Sequence, residues 1–202
     1  MTPGDLRPLD GYLALLLLVA AERVAELVVS ARHARRALAG GGVESGQGHY
    51  RVMVVFHALF LPSLAAGALL HPSAPPPAAW LAVAGVVLAQ ALRWWAVASL
   101  GERWSTRVIV VPGAPPVTRG PYRFLRHPNY LAVALEMACL PLAWGLWRLA
   151  ILFSTGNALI LWVRMRSEER ALGAGWERAF QGKGRFVPDL GGGRGRRGGG
   201  AR

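Results

Sequence analysis

Five apolar stretches, each close to the length that crosses a bilayer, alternate along the chain with arginine-bearing connections, and this alternation excludes most folds open to 202 residues. A hydrocarbon core about 30 Å thick calls for about 20 apolar helical residues. The sequence offers such runs at approximately Gly11–Ser30, Val52–Leu70, Ala78–Leu100, Asn129–Trp147 and Arg148–Met165. The last two nearly touch, so they must form a helical hairpin turning near Trp144–Arg148. With 53% hydrophobic and 17% charged residues, and a mean hydropathy of +0.31, the chain is too apolar for an ordinary water-soluble domain. The expected fold is an all-α integral membrane bundle of about five transmembrane helices. It forms a single domain over residues 1–190, and the Gly/Arg-rich tail at 191–202 is expected to be disordered.

A net charge of +12 would point to nucleic acid if the basic residues formed one patch on a soluble fold. Here they fall in connections: Arg32, Arg35, Arg36 and Arg51 after the first run, Arg103, Arg107, Arg119, Arg123 and Arg126 after the third, and Arg164 onward after the fifth. Regions that follow odd-numbered spans share one side of a membrane. The positive-inside rule therefore places the N-terminus outside and the C-terminus in the cytoplasm, with no nucleic-acid partner expected. The residues before the first run, Asp5, Arg7 and Asp10, carry no positive excess, so that run is expected to be a retained span, not a signal peptide. Trp80, Trp144 and Trp147 fall near outer span ends and Trp94, Trp95 and Trp162 near inner ones, where indole rings anchor at headgroup level. The single Cys139 excludes an internal disulfide and reads as a buried, inert thiol.

One stretch carries the chemistry: Gly120-Pro121-Tyr122-Arg123-Phe124-Leu125-Arg126-His127-Pro128-Asn129-Tyr130. Pro128 suits the first turn of a helix, where its missing N–H would be unpaired anyway. A helix beginning there presents free N–H groups beside Arg126 and His127, a setting for an anionic or carboxylate-bearing ligand. Arg126-His127-Pro128-Asn129-Tyr130 followed by an apolar span resembles the signature of the isoprenylcysteine carboxyl methyltransferase family of integral-membrane enzymes. Arg164-Met165-Arg166-Ser167-Glu168-Glu169-Arg170 resembles that family's Arg-x-x-x-Glu-Glu block, and Trp176, Phe180, Arg185, Phe186 and Pro188 its closing aromatic-basic-proline pattern. The resemblance covers roughly residues 90 to 190 and implies that His127, Pro128, Tyr130, Glu168 and Glu169 bind the cofactor S-adenosylmethionine. It also implies that Arg126 and Arg164 act in catalysis, and it extends more loosely to Arg93 and Trp104. The chain departs from many members at Ala132, where they carry glycine, and in having five spans where eukaryotic members have more.

Ionisable groups inside spans are costly, by about 2.5–3.5 kcal/mol each on insertion scales, and so are candidates for function. Glu22, Arg23 and Glu26 lie in the inner half of the first span. They read either as a structural cluster, paired with Arg93, or as a wall of the acceptor site. Glu136, two helical turns into the fourth span, needs a buried partner or a water-filled cavity. His57 and Gln90 read as interhelical hydrogen-bonding residues. No other His, Cys or carboxylate stands at ligand spacing from His127, so no metal is expected.

The combined expectation is a multi-pass protein of a bacterial inner membrane. It would move the methyl group of S-adenosylmethionine to an oxygen of a lipophilic acceptor, a carboxylate or a phenol or enol, on a prenylated or long-chain polyketide compound. The alternatives are a lipid N-methyltransferase and, in another class, a non-catalytic scaffold or small transporter. The arginine distribution is tested by single cysteines at Ser73 and Gly46 in a background lacking Cys139. An impermeant thiol reagent applied to intact cells should label Ser73 only, and labelling at Gly46 would reverse the orientation.

Overall fold

The computed structural model describes residues 6–71 and 74–187, which are mostly helical. Pro188 and the Gly/Arg tail lie outside the described residues. The five long helices are α1 (Leu6–Ala39), α2 (Gln47–Leu70), α3 (Ala79–Leu100), α4 (Pro128–Leu142) and α5 (Trp147–Ala179). α4 lies between α3 and α5 and packs along both, while α1 and α2 close the remaining side. Val43–Ser45 (β1) and Val108–Val110 (β2) form a short antiparallel ladder that pairs Val43 with Val110. This ladder, not expected from the sequence, ties the α1–α2 connection to the α3–α4 connection.

The bundle is apolar outside, and its polar interior residues gather towards one end. Leu17, Leu18, Val24 and Leu27 of α1, Val52, Val55 and Leu59 of α2, Leu81, Val87 and Leu88 of α3, and Ile151, Leu152 and Leu159 of α5 are all exposed. An apolar belt of this extent has no place in water. α2 from Tyr50 to Leu70 and the segment Ala79–Arg103 are long and apolar enough to cross a bilayer. α1 and α5 carry more charge, and α4 has 15 residues, about 22 Å at the usual helical rise.

α4 therefore ends five residues before the end of the apolar run that contains it. Pro141 lies in its last turn, and the chain reverses through Ala143–Leu146, with Leu146 N–H donating back to the Pro141 carbonyl at 2.9 Å. The reversal falls where the closeness of the last two runs demanded one. Trp144 corrects the anchoring expectation: it is buried and stacks on Tyr12 of α1 at 5.2 Å between centroids. The other tryptophans assigned to the interface, Trp80, Trp94, Trp95, Trp147 and Trp162, are exposed. Around Trp144 a dry core joins Leu9, Leu16, Phe60, Leu64, Met137, Leu140 and Phe153 at the turn end of the bundle.

Without a hydrophobic drive between helices in lipid, close packing must hold them together, and small residues permit it. A Cβ at Gly156 of α5 would stand 2.6 Å from Phe56 Cζ of α2, and one at Gly85 of α3 would stand 2.5 Å from Cys139 Sγ of α4. Gly156→Val should lower stability by about 1–3 kcal/mol through overpacking. Thermal unfolding in detergent reads this, and Phe56→Leu in the same chain should restore part of the loss.

Candidate functional site

At the opposite, loop end, the interior is polar. Arg126 and His127 run extended alongside Gly184 and Arg185: Arg126 N–H donates to Gly184 O at 3.0 Å and His127 N–H to Arg185 O at 3.3 Å. Arg126 Nε adds a bond to Lys183 O at 2.6 Å. These bonds hold the segment after α5 against the residues that open α4. The chain gets there by a break at Gly173, whose φ of 70° and ψ of −171° interrupt α5. Such a backbone favours glycine. Beyond it Trp176 stacks on Phe180 at 4.7 Å and lies 5.5 Å from the His127 ring.

Two linked polar sets meet at this end. In the first, His127 Nε2–H donates to Glu169 Oε1 at 3.0 Å, and Arg185 clasps the same carboxylate with Nε at 3.0 Å and Nη2 at 2.5 Å. In the second, Tyr130 OH donates to Glu168 and accepts from Arg164 Nε at 2.7 Å. Arg164 also donates through Nη2 to the Thr106 carbonyl at 2.6 Å and through Nη1 to Met53 Sδ at 3.6 Å. His127, Tyr130 and Arg164 are all buried, and His127 and Tyr130 stack at 5.2 Å. Of the amides expected to be free at the start of α4, that of Tyr130 turns back to His127 O at 3.1 Å. Pro128 has none, which leaves Asn129.

A third set lies deeper, among α1, α3 and α4. Arg93 Nη2 donates to Glu136 at 2.9 Å and Arg93 Nη1 lies 3.7 Å from Glu26. Arg23 reaches Glu26 at 2.8 Å, Glu22 at 3.4 Å and Glu136 at 3.8 Å. Gln90 donates to Glu22 and accepts from Arg23 at 3.2 Å, and Trp94 also donates to Glu22. The pairing of Glu22, Arg23 and Glu26 with Arg93 is thus present, and Gln90 bonds between helices as expected. His57 does not: its Nδ1 bonds to Met53 O of its own helix, 2.8 Å away.

A cavity of 1420 Å³ runs past all three sets. Its walls include Leu13, Leu16, Leu17, Leu61 and Ala65 among the apolar helices, then Arg23, Glu26, His57 and Arg93, and finally Trp104, Asn129, Tyr130, Arg164 and Glu168. Of the residues expected to form an acceptor cavity, Glu26, Arg93 and Trp104 line it, and Glu22 and Glu136 are tied to its lining arginines from behind. A second depression of 480 Å³ is lined by Glu169, Glu177, Arg178, Gln181 and Arg185 and shares Arg126 and Trp176 with the first. Glu168 and Glu169 thus face different spaces, and Pro128 sets the start of α4 without lining either one. The buried Asn129 Oδ1 and Trp104 Nε1, an acceptor and a donor in the large cavity's wall, have no partner among the described residues. Asn129 escaped the reading of the sequence, although it sits inside the motif.

The profile of the isoprenylcysteine carboxyl methyltransferase (ICMT) family matches residues 80–174, from α3 to the break in α5. The uncharacterized protein YpbQ of Bacillus subtilis (strain 168) is 39% identical over 159 residues, 78% of this chain and 94% of that protein. The chain belongs to the isoprenylcysteine carboxyl methyltransferase family. It is a bacterial member, and hence a membrane methyltransferase. The matched region holds Arg93, Arg126, His127, Tyr130, Arg164, Glu168 and Glu169 but stops short of Arg185.

Glu169 makes the docking of the 184–186 segment sensitive to acid. Burial alone would raise its carboxyl, yet the bonds from Arg185 and His127 hold it below the ordinary carboxylate range. Its folded-state pKa is depressed, so the pairing stabilises above the unfolded value and is lost as pH falls through the folded one. Fluorine-labelled Trp176 should therefore report release of this segment only below the ordinary carboxylate range. Arg185→Ala should move that transition to higher pH.

Proposed function

We propose that the chain is a five-span O-methyltransferase of a bacterial inner membrane, with its loop end in the cytoplasm, S-adenosylmethionine as methyl donor and a lipophilic acceptor drawn from the bilayer. The observation that carries this reading is the single cavity running from apolar helix faces to Tyr130, Arg164 and Glu168. A lipophilic acceptor suits the first part of such a cavity and a charged reacting group the second.

The residues present fit the donor. Its ammonium, carboxylate, ribose hydroxyls and adenine need acceptors, donors and an aromatic face. Glu168 and Asn129 Oδ1 supply acceptors, Trp104 Nε1 supplies a donor, and Trp176 with Phe180 supplies stacked rings. When bound, S-adenosylmethionine supplies a methyl carbon on an already cationic sulfur, so the protein need mainly align the reactants and exclude water. His127 and Glu169 act by fixing Arg185 and the segment that roofs the site. Arg126 keeps that segment in place through Lys183 O.

Arg164 orients the acceptor. Its Nε and Nη2 hold strong oxygen acceptors, but among the described residues Nη1 meets only the Met53 thioether, at 3.6 Å. A thioether is a weak acceptor, so Nη1 is the donor most readily given up to an incoming oxygen. An arginine here favours a carboxylate or phenolate and repels a protonated amine. An amine acceptor has one observation in its favour, because Glu22, Glu26 and Glu136 outnumber Arg23 and Arg93 in the deeper set.

A labelled-methyl transfer assay on a membrane lipid extract, with the product identified by mass, tests oxygen against nitrogen. Arg164→Lys retains charge but not the planar fork. It should abolish most transfer while S-adenosylmethionine binds with nearly native affinity. Glu168→Gln should instead weaken binding, by about 1.5–3 kcal/mol for a charge-assisted bond.

A further inference from the structure

The cavity is lined by two histidines that neither the family profile nor the site above uses, His33 and His57. His57 lies in α2, outside residues 80–174, and lines the cavity together with Arg93 and Arg164. Its Nδ1 stands 2.8 Å from the Met53 carbonyl oxygen. A carbonyl can only accept, so Nδ1 carries the hydrogen, and a neutral ring then keeps its lone pair on Nε2. Nε2 has no hydrogen-bond partner among the described residues. The charged groups whose fields reach the ring are Arg93 from α3, Glu136 from α4 and Arg164 from α5. Arg23 and Glu26 of α1 line the same cavity.

The carboxylates there and His127 are committed. Glu26 is tied to Arg23 and Arg93. Glu168 accepts from Tyr130, whose oxygen in turn accepts from Arg164. His127 donates to Glu169. His33 likewise pairs its Nδ1 with a carbonyl, that of Trp104, at 2.9 Å, but it is His57 that sits one turn from Met53, the residue that meets Arg164 Nη1, where the acceptor oxygen is expected.

We propose that His57 is the general base of the reaction, and that the acceptor is a hydroxyl that must lose its proton, as a phenol or enol does and an ionised carboxylate does not. This rests on the reading of the chain as an O-methyltransferase. The acceptor O–H bond breaks, its proton bonds to Nε2, and the electron pair stays on oxygen, which is thereby the nucleophile toward the sulfonium methyl donor. His57 leaves each turnover protonated and returns that proton to water through the loop end of the cavity, where Arg36 and Glu102 are exposed.

The test needs no methyl donor. A 4-nitrophenol bearing a dodecyl chain is mixed with the full-length protein in detergent, at a pH where the probe is neutral in empty micelles. The nitrophenolate absorption band should appear with the wild type and with His33→Gln. It should fall by about tenfold or more with His57→Gln, whose amide can still donate to Met53 O but cannot accept a proton. An undiminished band in His57→Gln overturns the proposal, as does the absence of the band in the wild type or its loss in His33→Gln. Nitrogen NMR should find His57 Nε2 unprotonated at neutral pH, and a protonated Nε2 also overturns it. The two readings fail separately. Equal methyl transfer to the lipid extract by wild type and His57→Gln removes the base but keeps the methyltransferase, whereas a nitrophenolate band with no transfer to any oxygen keeps the proton acceptor and removes the O-methyltransferase.

Discussion

Arg164 is buried at the loop end of a bundle whose outside is apolar, and is tolerated there because its donors are taken up by three separate elements. Nε meets Tyr130 of α4, Nη2 meets the Thr106 carbonyl between α3 and α4, and Nη1 meets Met53 of α2. Desolvating a guanidinium costs several kcal/mol unless such partners are in place. The same bonds therefore decide where α2, α4, α5 and the α3–α4 connection stand relative to one another. Lysine has neither the reach nor the fork to serve three directions at once.

A similar constraint shapes the deeper interior. Arg23 and Arg93 bridge carboxylates on α1 and α4, and long side chains meeting end to end keep backbones apart, whereas glycines such as Gly85 and Gly156 let them close. The bundle is accordingly tight at the turn end, around Trp144 and Leu140, and open where the ion pairs lie. The large cavity runs from apolar faces of α1 and α2 into the part of the interior that the charged side chains line, so the cost of burying charge is coupled to the space that a ligand needs.

Much of this was legible in the sequence. Apolar run lengths located the helices, the closeness of the last two runs located their turn, and the requirement that buried charges find partners joined Glu26 to Arg93. The rest depended on facts that linear order hides. Pro141 ends α4 early, and Trp144 then falls on Tyr12 instead of at an interface. Glu168 and Glu169 look interchangeable, but neighbours on a helix differ by about 100° in direction, and so they face separate cavities. Asn129 carried no periodic or charge signal, and His57, read as a bond between helices, bonds instead to the Met53 carbonyl of its own helix; the cavity around them gives both their meaning. β1 and β2, at three residues each, were too short to show an alternation.

The break at Gly173 has a consequence for how the protein comes into being. It turns the end of α5 back, so that residues 184 and 185 pair with Arg126 and His127, and the motif that opens α4 is thus finished by chain made almost sixty residues later. During synthesis the helices can enter the membrane and assemble while the site still lacks its roof. A nascent chain halted before Arg185 would own the cavity, the buried ion pairs and Arg164, yet Glu169 would lack its strongest clasp. The site is thus the last part of the bundle to be completed during synthesis, because Glu169 has only His127 until Arg185 follows.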